Sequence, residues 1–331
     1  VILAEGVFAV IVSFVLARVA LPYWIRRSRE QKLLITDVQK IPAVRIAHLA
    51  GLIVVPSAVV GLLCYIAGQT FLRSGEDTTV LLASVGTLLI ALLIGVVDDL
   101  LGERIGLRQY QKPILTVFAA LPMVVINAGH DVMYVPLLGA VNFGYLYPFV
   151  VVPLGIVGAS NGFNMLAGVN GLEAGMALIA LGTLGFLSAL RGFVAAEMIA
   201  FCFIAAILVL FWYNKFPAQV LSGNGFTYAA GTAIAVVAIV GDNERSAVLL
   251  FIPYFVEFVL KLRGMFQKES LAVPMADGSL RSKYVKWYSL NHVVISFLRK
   301  VKRRAYEWEI TGMLLGFELV IALGVIALAV R

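Results

Sequence analysis

Charge is scarce in this sequence. Of 331 residues only 14% are Asp, Glu, Lys or Arg, while 61% are hydrophobic, a balance outside the range of soluble globular domains. Cysteine is nearly absent as well: Cys64 and Cys202 both lie within apolar runs, so no disulfide framework is indicated. The 3 histidines stand far apart, at 48, 130 and 292, with no cysteine beside them, which argues against zinc. The alternating segments of a membrane β-barrel do not occur. No fixed-period repeat or low-complexity linker divides the chain, which reads as a single polytopic domain over residues 1–331.

What the sequence does contain is long apolar runs. Ten of them approach the roughly 17–25 residues that cross a bilayer as helix: 1–25, 47–69, 79–97, 113–128, 145–161, 174–190, 194–212, 225–241, 246–263 and 311–330. With barrels excluded, helices are the remaining way to satisfy every backbone group in lipid. The expected fold is an all-α integral membrane protein, a bundle of about ten transmembrane helices. The first run lacks the small-residue cleavage site of a signal peptide and is expected to stay in the membrane.

Lys and Arg favour cytoplasmic loops and so assign the sides. Of the 26 such residues, 21 lie in or beside the loops joining runs 1–2, 3–4, 5–6, 7–8 and 9–10, whereas the opposite loops hold only Arg73, Arg191 and Arg245. Those five basic, alternate loops are therefore expected in the cytoplasm, with both ends of the chain outside. The long loop 264–310 carries Trp287, Leu290, Val294, Phe297 and Val301 at helical spacing beside Lys286, Arg299, Lys300, Lys302, Arg303 and Arg304. That pattern fits an interfacial amphipathic helix on anionic membrane lipids. Nothing in the sequence calls for nucleic acid.

Polar side chains gather on the same side as the basic loops. "TDVQK" brings Asp37 and Lys40, which at i and i+3 fit either a surface ion pair or a binding site. "VVDD" ends the third run with Asp98 and Asp99, at a depth where charge is costly and tends to mark function, although a solvated helix end would look the same. Lys112 re-enters the membrane beside Pro113, by snorkelling or to meet an anion. The densest stretch is "NGFNMLAGVNGLEAG", Asn161 to Gly175. Its Asn161 and Asn164 share a helix face if the fifth run stays helical, and Asn170-Gly171 reads as a turn that lets backbone approach a ligand. "FPAQVLSGNGFTYAAG" adds Asn224. Carboxylates with amide oxygens form a hard donor set suited to Mg²⁺, with Mn²⁺ the alternative.

At this point the residues resemble a known family, the polyprenyl-phosphate N-acetylhexosamine-1-phosphate transferases. The resemblance is nearest to the eukaryotic and archaeal branch that makes dolichyl-diphosphate-GlcNAc. It rests on "DVQK" at 37–40, "VVDD" at 96–99, Lys112, "NGFNMLAGVNGLEAG" and "FPAQVLSGNGFTYAAG", in the family's order. The resemblance implies ten spans with cytoplasmic active-site loops, UDP-GlcNAc and a polyprenyl or dolichyl phosphate as substrates, UMP as a product, and a homodimer among the allowed assemblies. It also implies that Asn164 and Asn224 ligate Mg²⁺, that Asp98 and Asp99 act on the lipid phosphate, and that Lys112 neutralises phosphate charge. Gly168, Asn170 and Gly171 would hold the uracil with help from Asp37 and Lys40, while Asn161, Glu173 and Lys268 complete the substrate site.

The sequence departs from the family at Asn224, where the family has Asp, and at His48, where it usually has Glu. Leu221 replaces a frequent aromatic, and Lys268 is the nearest substitute for an Arg- or His-rich triplet. Asn224 also leaves room for a nucleotide-sugar-binding relative without catalysis. A transporter would place polar groups near the midplane and show an inverted repeat, and neither is seen.

Overall fold

A computed structural model describes residues 4–73, 75, 77–105, 107–135 and 139–330. Helix α1 (Ala4–Glu30) leads into a hairpin of β1 (Leu34–Asp37) and β2 (Val44–Ala47), antiparallel with Leu34 opposite Ala47 and Asp37 opposite Val44. The hairpin tip presents residues 37–40. Then follow α2 (Gly51–Leu72), α3 (Thr78–Ile105), α4 (Gln111–Val125) and a second hairpin, β3 (Val132–Val135) with β4 (Gly139–Asn142). A π-helical turn at Tyr147–Val151 opens α5 (Val152–Met165), and α6 (Leu172–Arg191), α7 (Val194–Asn214) and α8 (Asn224–Val240) complete the centre of the bundle. The chain ends with α9 (Glu244–Leu250), α10 (Ile252–Arg263), a hairpin of β5 (Ala272–Pro274) and β6 (Leu280–Ser282), α11 (Leu290–Lys302) and α12 (Glu307–Ala329).

The chain is thus a multi-pass, all-α membrane protein. Eight helices among the described residues are long and apolar enough to cross a bilayer, compared with the ten apolar runs in the sequence. The two runs that fall short do so for different reasons. Helix α4 has only 15 residues, and the run 246–263 is broken at Phe251, whose backbone (φ −85°, ψ 5°) separates α9 from α10. Helix α11 lies between α10 and α12 with Leu290, Val294, Ile295 and Leu298 buried and Phe297 and Val301 exposed. Ser289 caps it by accepting from the Asn291 N–H.

Helix α8 is the centre of the bundle, with 83% of its apolar window buried against 22% for α12 and 28% for α1. Small residues let its neighbours approach. A Cβ at Gly95 of α3 would run into the Asn224 carbonyl, and one at Gly51 of α2 would run into the Phe226 amide. These close approaches fix the position of the α8 N-terminus, because one helical turn beyond Gly95 lie Asp98 and Asp99.

Candidate active site

Asp98 and Asp99 are adjacent in sequence yet meet different partners, since successive helical residues point about 100° apart. Asp99 faces the start of α8, where its Oδ1 accepts from the Asn224 N–H (2.9 Å) and its Oδ2 from the Gly225 N–H (3.1 Å). The first N–H groups of a helix have no partner within it and carry the positive end of its dipole, so a carboxylate placed there caps α8 from another helix. His48 Nε2 stands 3.7 Å from Asp99 Oδ1. Burial holds the His48 imidazole below its ordinary value, against the opposing pull of the Asp99 charge.

Asp98 faces the other way, toward α4. Its Oδ2 accepts from Lys112 Nζ (2.7 Å) and Asn224 Nδ2 (3.0 Å), and its Oδ1 accepts from the Leu107 N–H (3.2 Å). Because the Asn224 amide turns its nitrogen to Asp98, its Oδ1 projects from the opposite branch. Asn164 Oδ1 is close to the same helix turn, accepting from Thr227 Oγ1 (2.7 Å), while Thr227 also donates to the Asn224 carbonyl (3.2 Å). Helix α5 runs to Met165, so Asn161 and Asn164 do share one face. Asn161 Nδ2 nevertheless binds Thr116 Oγ1 of α4 (2.8 Å) and the Val157 carbonyl (2.9 Å), tying α5 to α4 one turn beyond Lys112. The described residues hold no group of three or more His, Cys, Asp or Glu side chains placed to hold a metal ion together. The oxygen-bearing side chains around the start of α8 are Asp98, Asn164 and Asn224, whose carboxylate and amide oxygens are hard donors of the kind Mg²⁺ takes.

The second half of the site is the loop between α5 and α6. Asn170 Nδ2 donates to Asp37 Oδ2 (3.3 Å) and its Oδ1 accepts from the Ala218 N–H (3.1 Å). The Asn170 N–H donates to Glu307 Oε1 (2.7 Å), and its carbonyl accepts from Thr311 Oγ1 (2.9 Å). The neighbours are held in the same way. The Gly168 N–H reaches Glu173 Oε1 (3.3 Å), its carbonyl accepts from Gln39 Nε2, and the Gly171 N–H reaches Asn214 Oδ1 (3.1 Å). Lys40 bridges Asp37 Oδ2 (3.1 Å) and Glu307 Oε2, with its ammonium 5.1 Å from the Phe216 ring centroid. From above, Asn291 Nδ2 donates to the Ala167 carbonyl (3.0 Å) and the Ala272 N–H to Gln39 Oε1 (2.9 Å).

Asp37, Lys40, Gly168, Asn170, Gly171 and Glu173 thus form one knot, and Asp98, Asp99, Lys112, Asn164 and Asn224 a second, both at the same end of the bundle. Lys268 belongs to neither. It is exposed, with its ammonium 5.5 Å from the Tyr284 ring centroid. Glu307, Thr311, Gln39, Asn214 and Thr227 were missed by the sequence reading. For Glu307 and Thr311 the available signal was two polar residues four apart at the start of an apolar run, a spacing that puts both on one helix face.

The profile of glycosyl transferase family 4 matches residues 81–242, which span the acid pair and both Asn motifs. A protein of Saccharolobus solfataricus, provisionally named a UDP-N-acetylglucosamine–dolichyl-phosphate N-acetylglucosaminephosphotransferase, is 30% identical over 315 residues, 95% of this chain and 93% of the relative. The chain belongs to glycosyl transferase family 4. A Sulfolobus acidocaldarius protein with the same provisional name is 30% identical over 323 residues, again 95% of this family 4 chain and 93% of the relative. The Schizosaccharomyces pombe protein bearing that name without qualification is 32% identical over 252 residues, 66% of this chain and 55% of its own length.

Proposed function

We propose that this chain transfers GlcNAc-1-phosphate from UDP-GlcNAc to a polyprenyl phosphate of the dolichyl type. A lipid phosphate oxygen forms a bond to the β-phosphorus, the bond from that phosphorus to the bridging oxygen breaks, and UMP leaves with the bridging oxygen. The products are polyprenyl-diphosphate-GlcNAc and UMP. Near full-length similarity to the archaeal relatives supports the reaction class, and the observation that carries it is the Asp98–Lys112–Asn224 array. Phosphoryl transfer needs little from a protein beyond positioning and charge neutralisation. The array offers a cation held by a carboxylate, which a phosphate can approach, at the end of a membrane-embedded helix.

The roles divide as the geometry does. Lys112 meets phosphate charge while Asp98 orients it. Asp99, with both oxygens on the α8 amides, positions Asn224 rather than touching substrate. Mg²⁺, when bound, would be held by Asp98 and the amide oxygens of Asn164 and Asn224, and would neutralise diphosphate charge. The excess of Lys and Arg around this end of the bundle supports its facing the cytoplasm.

The test is UMP release by the purified chain given UDP-GlcNAc, a polyprenyl phosphate and Mg²⁺. Lys112→Met should lower the rate by about 100-fold or more, since each 1.4 kcal/mol of lost transition-state stabilisation is tenfold. UDP-GlcNAc binding without UMP release would instead favour a non-catalytic relative, the reading that Asn224 keeps open.

A further inference from the structure

The last membrane helix has few buried positions, and its first two turns use two of them on one residue of the loop between α5 and α6. Glu307 is 2% exposed and Thr311 8% exposed. One accepts the Asn170 N–H at 2.7 Å and the other donates to the Asn170 carbonyl at 2.9 Å. Asp37 and the Ala218 N–H engage the two ends of the Asn170 side chain. All four hydrogen-bonding groups of Asn170 are therefore engaged by protein, from three separate parts of the chain. Each group is thereby oriented, while the second N–H of the side-chain amide and the second lone pair of each oxygen stay available to a ligand.

We propose that Glu307 and Thr311 are positioning residues for nucleotide binding, fastening α12 to Asn170 so that the 167–171 loop is held in its binding shape. The identity of the nucleotide rests on the transferase reading above. The physical reason to build the site this way is preorganisation. A loop with three residues, Gly168, Asn170 and Gly171, whose amides and carbonyls would otherwise be free to reorient, loses less entropy on binding if its shape is fixed beforehand. Lys40 ties the hairpin tip to the same fastening, since it contacts Asp37 and Glu307 together. Seating of α12, a helix largely exposed to lipid, is thereby coupled to nucleotide affinity at the bundle end.

Three variants of the full chain test this. In Glu307→Gln one branch becomes an NH₂ that must face a donor, either the Asn170 N–H or the Lys40 ammonium. Thr311→Val keeps the shape and removes the hydroxyl, whereas Thr311→Ser restores it. The expected result for Glu307→Gln and Thr311→Val is a KM for UDP-GlcNAc raised about tenfold with kcat within about threefold, the signature of lost uniform binding. Thr311→Ser should return to wild-type KM. Hydrogen exchange should rise in peptides covering 167–171 and 37–40 and stay unchanged in α7 and α8. Wild-type KM and wild-type exchange in both variants would overturn the proposal. A fall in kcat and KM effects accompanied by faster exchange throughout the bundle would overturn it too, because that pattern belongs to a merely structural contact. If the wild-type chain releases no UMP, the transferase reading fails by itself, and the exchange pattern together with UDP affinity decides the fastening.

Discussion

Replacing Asn224 by Asp is the perturbation whose outcome the structure specifies most closely. Asn224 Nδ2 donates to Asp98 Oδ2 at 3.0 Å. In Asn224→Asp that donor becomes a second carboxylate oxygen at a similar distance. Two unit charges about 3 Å apart repel by about 5 kcal/mol at an effective dielectric constant near 20. A hydrogen bond to a charged acceptor, about 1.5–3 kcal/mol, is lost as well. Two features reduce the cost. Lys112 Nζ sits 2.7 Å from the same Asp98 oxygen, and a carboxylate in the first turn of α8 gains about 0.3–1 kcal/mol from the helix dipole. The dipole gain is small against the loss and Lys112 offsets only part of it, so a net destabilisation of at least about 2 kcal/mol remains.

A divalent cation between the two carboxylates would cancel most of that penalty. The variant should therefore melt below wild type in EDTA and recover on addition of Mg²⁺, with half-maximal recovery at a Mg²⁺ concentration roughly 30-fold or more below that required by wild type, as about 2 kcal/mol of extra attraction implies. Lowering the pH in EDTA should also restore stability, because protonating either acid removes the repulsion. Thermal shift measurements in detergent, with and without Mg²⁺, read all of this without needing turnover. Equal melting temperatures for Asn224→Asp and wild type in EDTA, with no separate response to Mg²⁺, would refute both the Asp98 contact and the placement of a cation here.

Two further outcomes follow from contacts already described. Asp99→Asn keeps one acceptor for the α8 amides and turns an NH₂ toward the other; losing a cap of this kind costs about 1–2 kcal/mol, so the variant should melt lower, and an unchanged melting temperature would remove Asp99 from its capping role. Part of the pH dependence comes from His292, whose Nδ1 accepts from the Tyr288 N–H at 3.4 Å and whose Nε2 lies 3.4 Å from the Leu271 carbonyl, an arrangement that suits the neutral ring. Burial holds its pKa below the ordinary 6.5, so the unfolded chain binds the proton first. Stability attributable to this residue is then complete above about pH 6.5 and falls as the pH drops below it. Melting curves between pH 8 and 5.5 should fall more gently in His292→Phe than in wild type; identical slopes would show that His292 does not contribute to the titration.

The spans were legible because lipid imposes a simple demand on a helix, apolar residues for about 20 positions. Helix α7 meets it over most of its 21 residues, with Glu197 in the first turn. The break at Phe251 was not legible, since hydropathy records what a run contains and not whether its hydrogen-bond ladder is continuous. The hairpin that presents Asp37 and Lys40 left a weak trace in "LITD" and "VRIA", four-residue strands too short to stand out beside 20-residue runs. Gly95 and Gly51 looked like ordinary glycines in apolar segments; their importance lies in the backbone of α8 that passes against them.

The site divides along the same line. Which residues matter near Asp98, Lys112 and Asn224 was readable, because polar groups at the edge of an apolar run are costly enough to need a reason. What each one does was not readable. Asp98 and Asp99 are indistinguishable as letters, and only the direction of each side chain assigns one to Lys112 and the other to the α8 amides. Asn170 is the extreme case: its four partners lie 133, 48, 137 and 141 positions away in the chain. Local pattern describes Asn-Gly as a turn whose backbone is open to a ligand. The fold also grips that residue: Glu307 and Thr311 of the last helix hold its backbone, while Asp37 of the first hairpin and the Ala218 N–H before α8 hold its side chain. A stretch rich in Asn and Gly in a membrane protein can therefore be bare for two opposed reasons, to receive a ligand or to be gripped by its own protein. Counting the partners of each donor and acceptor decides between them, residue by residue.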